Sequence, residues 1–216
     1  MRNRKAWDSQ MESRVIARIQ PRADERARIV EAATAACRQY GPSKTNVADI
    51  ARLVGKSPAS VYKVFPSKAS ILDSVAASFF ENRFCVTKSA EGGQGSATAR
   101  LQETMLEQHR LLLQARDKDP QMFSLMVLAA EGDWPSFKQH LRRLKTALGE
   151  LILAGIAAEE FATVDITVAA SCFCASISVL WDPRSVEALP SGRCEASASE
   201  FISFAIGACR VSGHGK

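Results

Sequence analysis

The residues of this chain best equipped for chemistry lie between positions 44 and 68. There Lys44, Lys56, Lys63 and Lys68 alternate with the hydroxyls of Thr45, Ser57, Ser60 and Tyr62. Cations and hydroxyls neutralise and hydrogen-bond phosphate groups, while nucleic-acid sequence is read by a few side chains at base edges. Residues 1–68 carry 14 Lys and Arg against 6 Asp and Glu, whereas residues 69–216 carry 14 against 17. Such a division is that of a polyanion-binding end joined to a neutral or acidic body. A basic solvated surface would show the same balance, so the pattern within the segment has to decide.

The other reactive groups form no constellation. Six cysteines stand at 37, 85, 172, 174, 194 and 209 without a regular framework. The N-terminus is polar and basic, unlike a signal peptide. The most apolar stretch, 164–181, is too short and too diluted by Asp165, Ala, Ser and Cys for a membrane span. A cytoplasmic location with reduced, mostly buried thiols is therefore expected. Cys172 and Cys174 would face roughly opposite ways on a helix, about 200° apart, and none of the three histidines (109, 140, 214) lies beside them in sequence. No metal site and no cofactor is expected. The glycines of residues 91–96 (EGGQGS) follow no strand and read as a linker or loop rather than a nucleotide site. With no H-E-x-x-H, no G-x-S-x-G and no Cys/His ligand spacing, an enzyme is not expected.

Stepwise periodicity places the 44–68 residues on short helices. From Arg22, Ile29, Val30, Ala33, Cys37 and Tyr40 recur at helical spacing, and Gly41-Pro42 stops the run. Val47, Ile50, Ala51 and Val54 then form an amphipathic stripe, with Asn46 as N-cap, Asp49 in the first turn and Gly55 at the end. Ser57-Pro58 starts a third helix, with proline where its missing N–H costs nothing and Val61, Val64 and Phe65 on the buried side. Pro66 breaks it. Ser67 can cap a fourth helix carrying Ile71, Leu72, Val75, Phe79 and Phe80, which is expected to end near residues 85–88. Two short helices joined by a tight glycine turn, flanked by longer ones, make a helix-turn-helix. A bland three-helix domain is the weaker reading, given the positive charge and the polar outer face of the third helix.

The residues Thr45-Asn46-Val47-Ala48-Asp49-Ile50-Ala51 and Gly55-Lys56-Ser57-Pro58-Ala59-Ser60-Val61-Tyr62-Lys63-Val64-Phe65-Pro66-Ser67-Lys68 closely resemble the DNA-binding signature of the TetR family of bacterial regulators. The likeness covers about residues 24–80. It implies an all-α fold, with a three-helix N-terminal helix-turn-helix domain followed by a larger helical ligand-binding and dimerisation domain. It further implies a cytoplasmic homodimer on a palindromic double-stranded DNA operator, most often a repressor, responsive to a small-molecule effector of unknown identity. The expected domains are a basic extension (1–21), the helix-turn-helix domain (22–68) and the ligand-binding and dimerisation domain (69–216).

Residue by residue, Lys44 and Thr45 at the entry to the second helix are placed to meet phosphates. Lys68 can do the same beside the free N–H groups of the fourth helix. Ala59 could pack on a thymine methyl, Ser60 could bond a base or phosphate, and Lys56, beside Ser57, could reach a guanine edge. By resemblance, Tyr62 matches a position that often contacts phosphate. Lys63 stands where histidine is frequent and Val64 where a second aromatic is frequent, so the pattern departs from the family there. Arg2, Arg4 and Lys5 could enter a minor groove or serve as a solubilising tail.

Beyond the linker, helices are expected over 101–113, from Pro120 through Val127, over 137–156, over 164–181 and over 195–209. The loop before the last of these holds Pro183, Pro190 and Gly192. The 164–181 stretch is apolar on most faces and rich in small residues. With Phe201, Ile202, Phe204, Ala205 and Ile206 it either forms a two-fold four-helix interface or is an ordinary core helix. Met105, His109, Met122, Phe123, Met126, Trp134 and Phe173 either line an effector cavity or are simple core. Two other readings stay open: a helical interaction protein with a degenerate helix-turn-helix, and a redox-sensing regulator using Cys85 or Cys209.

Overall fold

The computed structural model describes residues 22–91, 95–188 and 196–210. The expected basic extension, with a helical stretch at 11–19, lies outside them. All regular structure among the described residues is helical. The order is α1 (22–40), α2 (Val47–Leu53), α3 (Pro58–Tyr62), α4 (Lys68–Glu91), α5 (Ala97–Lys118) and α6 (Pro120–Glu131). Then come α7 (Pro135–Ala157), α8 (Ile166–Ser176), α9 (Ser178–Trp181), α10 (Pro183–Ala188) and α11 (Ala198–Gly207). The chain divides into two compact units after Val75.

The first unit buries the stripes that periodicity marked. Ile29, Ala33, Ala36 and Cys37 of α1 are buried, as are Val47, Ile50 and Ala51 of α2 and, farther on, Val61, Phe65, Ile71 and Val75. The second unit closes its core around Leu101, Met105 and Leu112 of α5, Met122, Leu125 and Met126 of α6, Leu144 and Leu148 of α7, and Phe173 of α8.

Small residues let α7 and α8 approach closely. A Cβ on Gly149 would stand 3.2 Å from Ile166 Cγ2 and 3.8 Å from Ala170 Cβ. At the end of α7 the Phe161 ring occupies the space where a Gly155 side chain would begin. The reversal continues through Glu159, whose φ of 57° is left-handed. It presents Glu160 to the start of α5, where the carboxylate accepts from the backbone N–H of Ala97 (2.8 Å) and of Thr98 (2.9 Å). Together with the Ser96 side chain, which accepts from Ala99 N–H, this satisfies donors that a helix cannot pair for itself.

These bonds, that from the Thr98 backbone foremost, hold the Glu160 carboxyl below its ordinary range. A depressed carboxylate contributes stability above its unfolded pKa of about 4.3 and loses it as pH falls through the folded value. The thermal midpoint of Glu160→Gln should therefore lie below that of the native chain near neutral pH. The gap should close in acid, and one that stayed constant from pH 7 to pH 3 would rule out the ionised carboxylate as its source.

The structure corrects the expected boundaries in the second unit. The single helix over 164–181 is broken at Ile177 into α8 and α9. In an unbroken helix the Cys174 carbonyl would accept from the backbone, but here it accepts the Trp181 indole N–H at 2.8 Å, while the Ser176 hydroxyl donates to Phe173 O. The expected loop from Pro183 begins instead with α10. Pro183 occupies the first helical position, and the buried Asp182 carboxylate accepts from Arg184 N–H at 2.9 Å. Arg184 also pairs with that carboxylate through its guanidinium (2.6 Å) and donates to Ala130 O at the end of α6 (3.2 Å). The fourth helix runs on to Glu91, past the expected end, and the last is shorter than 195–209.

Candidate nucleic-acid interface

In the first unit, side chains and glycines set where each short helix starts and stops. Gly41, at φ 83°, turns the chain out of α1. Asn46 caps α2 by accepting from Asp49 N–H at 2.8 Å. At the other end Gly55, at φ 66°, permits a Schellman closure, in which Lys56 N–H reaches Ala51 O (2.8 Å) and Gly55 N–H reaches Arg52 O (3.2 Å). Ser57 then caps α3 by accepting from Ser60 N–H at 3.2 Å, with Pro58 in the first turn. Ser67 and Ser70 exchange backbone-to-side-chain bonds at the start of α4 (3.1 and 3.2 Å).

Between these caps, α3 presents Ala59, Tyr62 and Lys63 to solvent and buries Val61, with Phe65 buried just beyond its end. Tyr62 is 49% exposed, although its neighbour Val61 is fully buried. Arg26 of α1 lies over the Phe65 ring, 4.1 Å from its centroid, and donates to Ser74 Oγ at 2.8 Å. That pair ties α1, the end of α3 and α4 together, so the outward direction of Tyr62 and Lys63 is set by the core beneath them.

Around this face stand the expected cations in different states. Lys44 is exposed. Lys56 is held by Glu25 of α1 at 2.8 Å, which draws the Glu25 carboxyl below its ordinary range. Lys68 donates to Ser43 O at 3.1 Å, so its ammonium sits at the turn between α1 and α2, where Lys44 also stands. Ser57 and Ser60 are engaged in capping and lie 3.0 Å apart through their hydroxyls. Thr45 is a correction. It is fully buried, its hydroxyl donating to Gly41 O at 2.8 Å and lying 3.7 Å from Cys37 Sγ, so it shapes the turn and its side chain is closed to a phosphate. Burial also pushes the Cys37 thiol up from its ordinary value.

Arg52 was not singled out from sequence. Its side chain is 71% exposed and paired with Asp49 at 2.7 Å. Its place outside the Val47, Ile50, Ala51, Val54 stripe was the signal that could have marked it.

The residues expected around an effector are less alike. Met105, Met122, Phe123, Met126 and Phe173 are buried. Trp134 is half-buried at the start of α7. His109 is also half-buried, with Nδ1 2.9 Å from Leu180 O, an arrangement in which that nitrogen carries the proton and donates. An open groove of about 310 Å³ lies elsewhere, between α7 and α8, and none of the seven lines it. Among the described residues no group of His, Cys, Asp and Glu could hold a metal ion, and no helix is long and apolar enough to cross a membrane.

Two short capped helices with the second exposed, stabilised from behind by a third, define a helix-turn-helix DNA-binding domain. Residues 29–75 match the family model of bacterial regulatory proteins of the tetR family, and residues 97–201 match that of the tetracyclin repressor-like C-terminal domain. The chain belongs to the TetR family. It is thus a DNA-binding transcriptional regulator rather than an enzyme.

No curated protein matches the sequence. Among solved structures, a TetR-family regulator from Mesorhizobium loti is 22% identical, with 87% of this chain and 95% of that one covered at a TM-score of 0.58. RolR in complex with resorcinol is 18% identical, with coverage of 90% and 91% and a TM-score of 0.64. A TetR/AcrR-family regulator from Thermobifida fusca is 22% identical, with coverage of 89% and 100% and a TM-score of 0.59. At these identities the likeness is one of fold.

Proposed function

We propose that this chain is a ligand-responsive repressor that binds a palindromic operator as a cytoplasmic homodimer. In this reading residues 22–68 contact DNA, and residues 69–216 bind the effector and the second subunit. The observation that carries it is the exposed α3 face of Ala59, Tyr62 and Lys63, held by a buried core and bordered by Lys44, Lys56 and Lys68. Ala59 meets a base methyl, Tyr62 and Lys63 meet the backbone or base edges, and the bordering lysines neutralise phosphates. Two copies give the two-fold symmetry that a palindrome requires.

The effector reading is supported by RolR, whose structure holds resorcinol, and by polar groups set in the apolar core of α5. The Thr104 hydroxyl is buried without a hydrogen-bond partner among the described residues, one residue from Met105. A buried, unpaired hydroxyl is costly, and an effector with a hydrogen-bonding group beside its apolar body would satisfy it. A redox trigger at Cys209 gains nothing from the structure, because burial pushes that thiol up and lowers its thiolate fraction.

The test is a titration against the chain's own promoter DNA, with scrambled DNA alongside and salt varied. Selective, salt-dependent binding is expected. Tyr62→Ala should weaken it about tenfold with little change in thermal unfolding, and Lys68→Ala should lower the salt slope by about one. Equal, weak binding to both DNAs would instead indicate a degenerate helix-turn-helix.

A further inference from the structure

Lys56 differs from the other cations around α3 in how its side chain is held. Lys44 is exposed, and Lys68 donates to the carbonyl of Ser43. Lys56 donates instead to a carboxylate, Glu25 Oε1 of α1, at 2.8 Å across 31 positions of sequence. Its backbone is fixed as well, since its N–H closes the turn after α2 on Ala51 O at 2.8 Å. Both ends of a long, ordinarily mobile side chain are thereby tied down.

The pair does little for stability. Its side chains are partly open to water, 42% for Lys56 and 32% for Glu25, and exposed ion pairs contribute little to folding. It also works against binding a polyanion, because the carboxylate offsets the charge of a lysine next to the start of α3. That carboxylate stays ionised at neutral pH, held below its ordinary range by Lys56 foremost and by Arg28 and Arg22. A negative charge kept there has to be explained by what it does to the lysine.

An ammonium has three N–H donors. Glu25 takes one, and two remain for acceptors on the side away from it. Guanine offers such a pair in the major groove, O6 and N7, whereas phosphate oxygens recur along the whole backbone and carry no sequence. The N-terminal part of a recognition helix is the part that meets base edges, and Lys56 immediately precedes Ser57, the cap of α3. We propose that Glu25 is a specificity-determining residue, which aims Lys56 at a guanine edge and withholds it from the phosphate backbone. The inference rests on the DNA-binding reading above and refines the part that Lys56 plays in it. A pinned lysine meets its two acceptors where a guanine stands. Elsewhere it must leave Glu25 to reach a phosphate, and the cost of that exchange discriminates against the wrong DNA.

The test uses the full chain, its own promoter DNA and scrambled DNA, with salt varied. Glu25→Ala should tighten binding to scrambled DNA and steepen its salt slope by about one, as Lys56 becomes free to neutralise a phosphate. Promoter binding should gain less, so that the ratio of the two affinities falls about tenfold. In a Lys56→Ala background the same change at Glu25 should leave the ratio unaltered. Promoter DNA methylated beforehand at guanine N7 with dimethyl sulfate supplies the base readout. A guanine in each half-site whose methylation blocks the native chain should cease to matter to Lys56→Ala. Thermal unfolding of these variants should match that of the native chain, both side chains being partly exposed. Three results would each overturn the assignment while leaving a selective regulator in place. They are a ratio that Glu25→Ala does not lower, a lowering that persists without Lys56, and a methylation pattern that Lys56→Ala does not alter. A native chain that binds both DNAs alike overturns the assignment and the sequence-specific reading together.

Discussion

A Gly155→Ala chain is expected to unfold about 3–10 °C below the native protein, although a methyl group is the smallest side chain that can be added. Alanine is ordinarily the better helix former, so helix propensity alone predicts the opposite sign. The space decides. The Phe161 ring lies where the new Cβ would stand, and Phe161 N–H is bonded to Gly155 O at 3.2 Å, which limits how far the ring can withdraw. Overpacking of this kind costs about 1–3 kcal/mol. The clash also makes a prediction about coupling: Phe161→Ala should remove much of the penalty, so the double variant should be more stable than the sum of the single effects allows. An unchanged midpoint for Gly155→Ala would show that the ring is not fixed there.

The second large effect falls in the first unit, where neighbouring residues should separate folding from binding. Phe65→Ala should destabilise that unit by about 3–5 kcal/mol, as expected for truncating a fully buried aromatic. The loss includes the platform beneath Arg26, whose guanidinium bridges the ring and Ser74. Operator binding should disappear together with helical signal. Tyr62→Ala should weaken binding about tenfold while keeping its helical signal, since that side chain is half exposed. If Phe65→Ala kept both stability and binding, the core assigned beneath α3 would be wrong.

The first unit was legible because its instructions are local. Asn46, Gly55, Ser57-Pro58 and Ser67 each act on backbone groups within a few residues, and those caps appear in the structure as the sequence placed them. Thr45 departs from its expected outward direction because that direction depends on the left-handed turn at Gly41, which folds the hydroxyl inward against Cys37. In the second unit the instructions come from a distance. Residues 176–178 contain neither glycine nor proline, and the break at Ile177 goes with the Trp181 indole on Cys174 O and with His109 against Leu180 O. Pro183 reads as loop in the sequence yet starts α10, because the Asp182 cap and the Arg184 bond to α6 depend on the folded arrangement. A buried methionine looks the same in sequence whether it fills a core or faces a ligand, so the effector residues could not be sorted by type.

The layout of α3 has a consequence for how the protein could be retargeted. Its conformation is specified by Ser57, Pro58, Val61 and the adjoining Phe65, whereas Ala59, Tyr62 and Lys63 project outward. The two sets interleave along the chain but share no residue. A library randomised at Ala59 and Lys63 would therefore sample new surfaces on an unchanged scaffold, and most of its members should still fold. Selection from such a library would act on recognition with little interference from stability, which makes the outward face of this short helix an exchangeable part of the first unit.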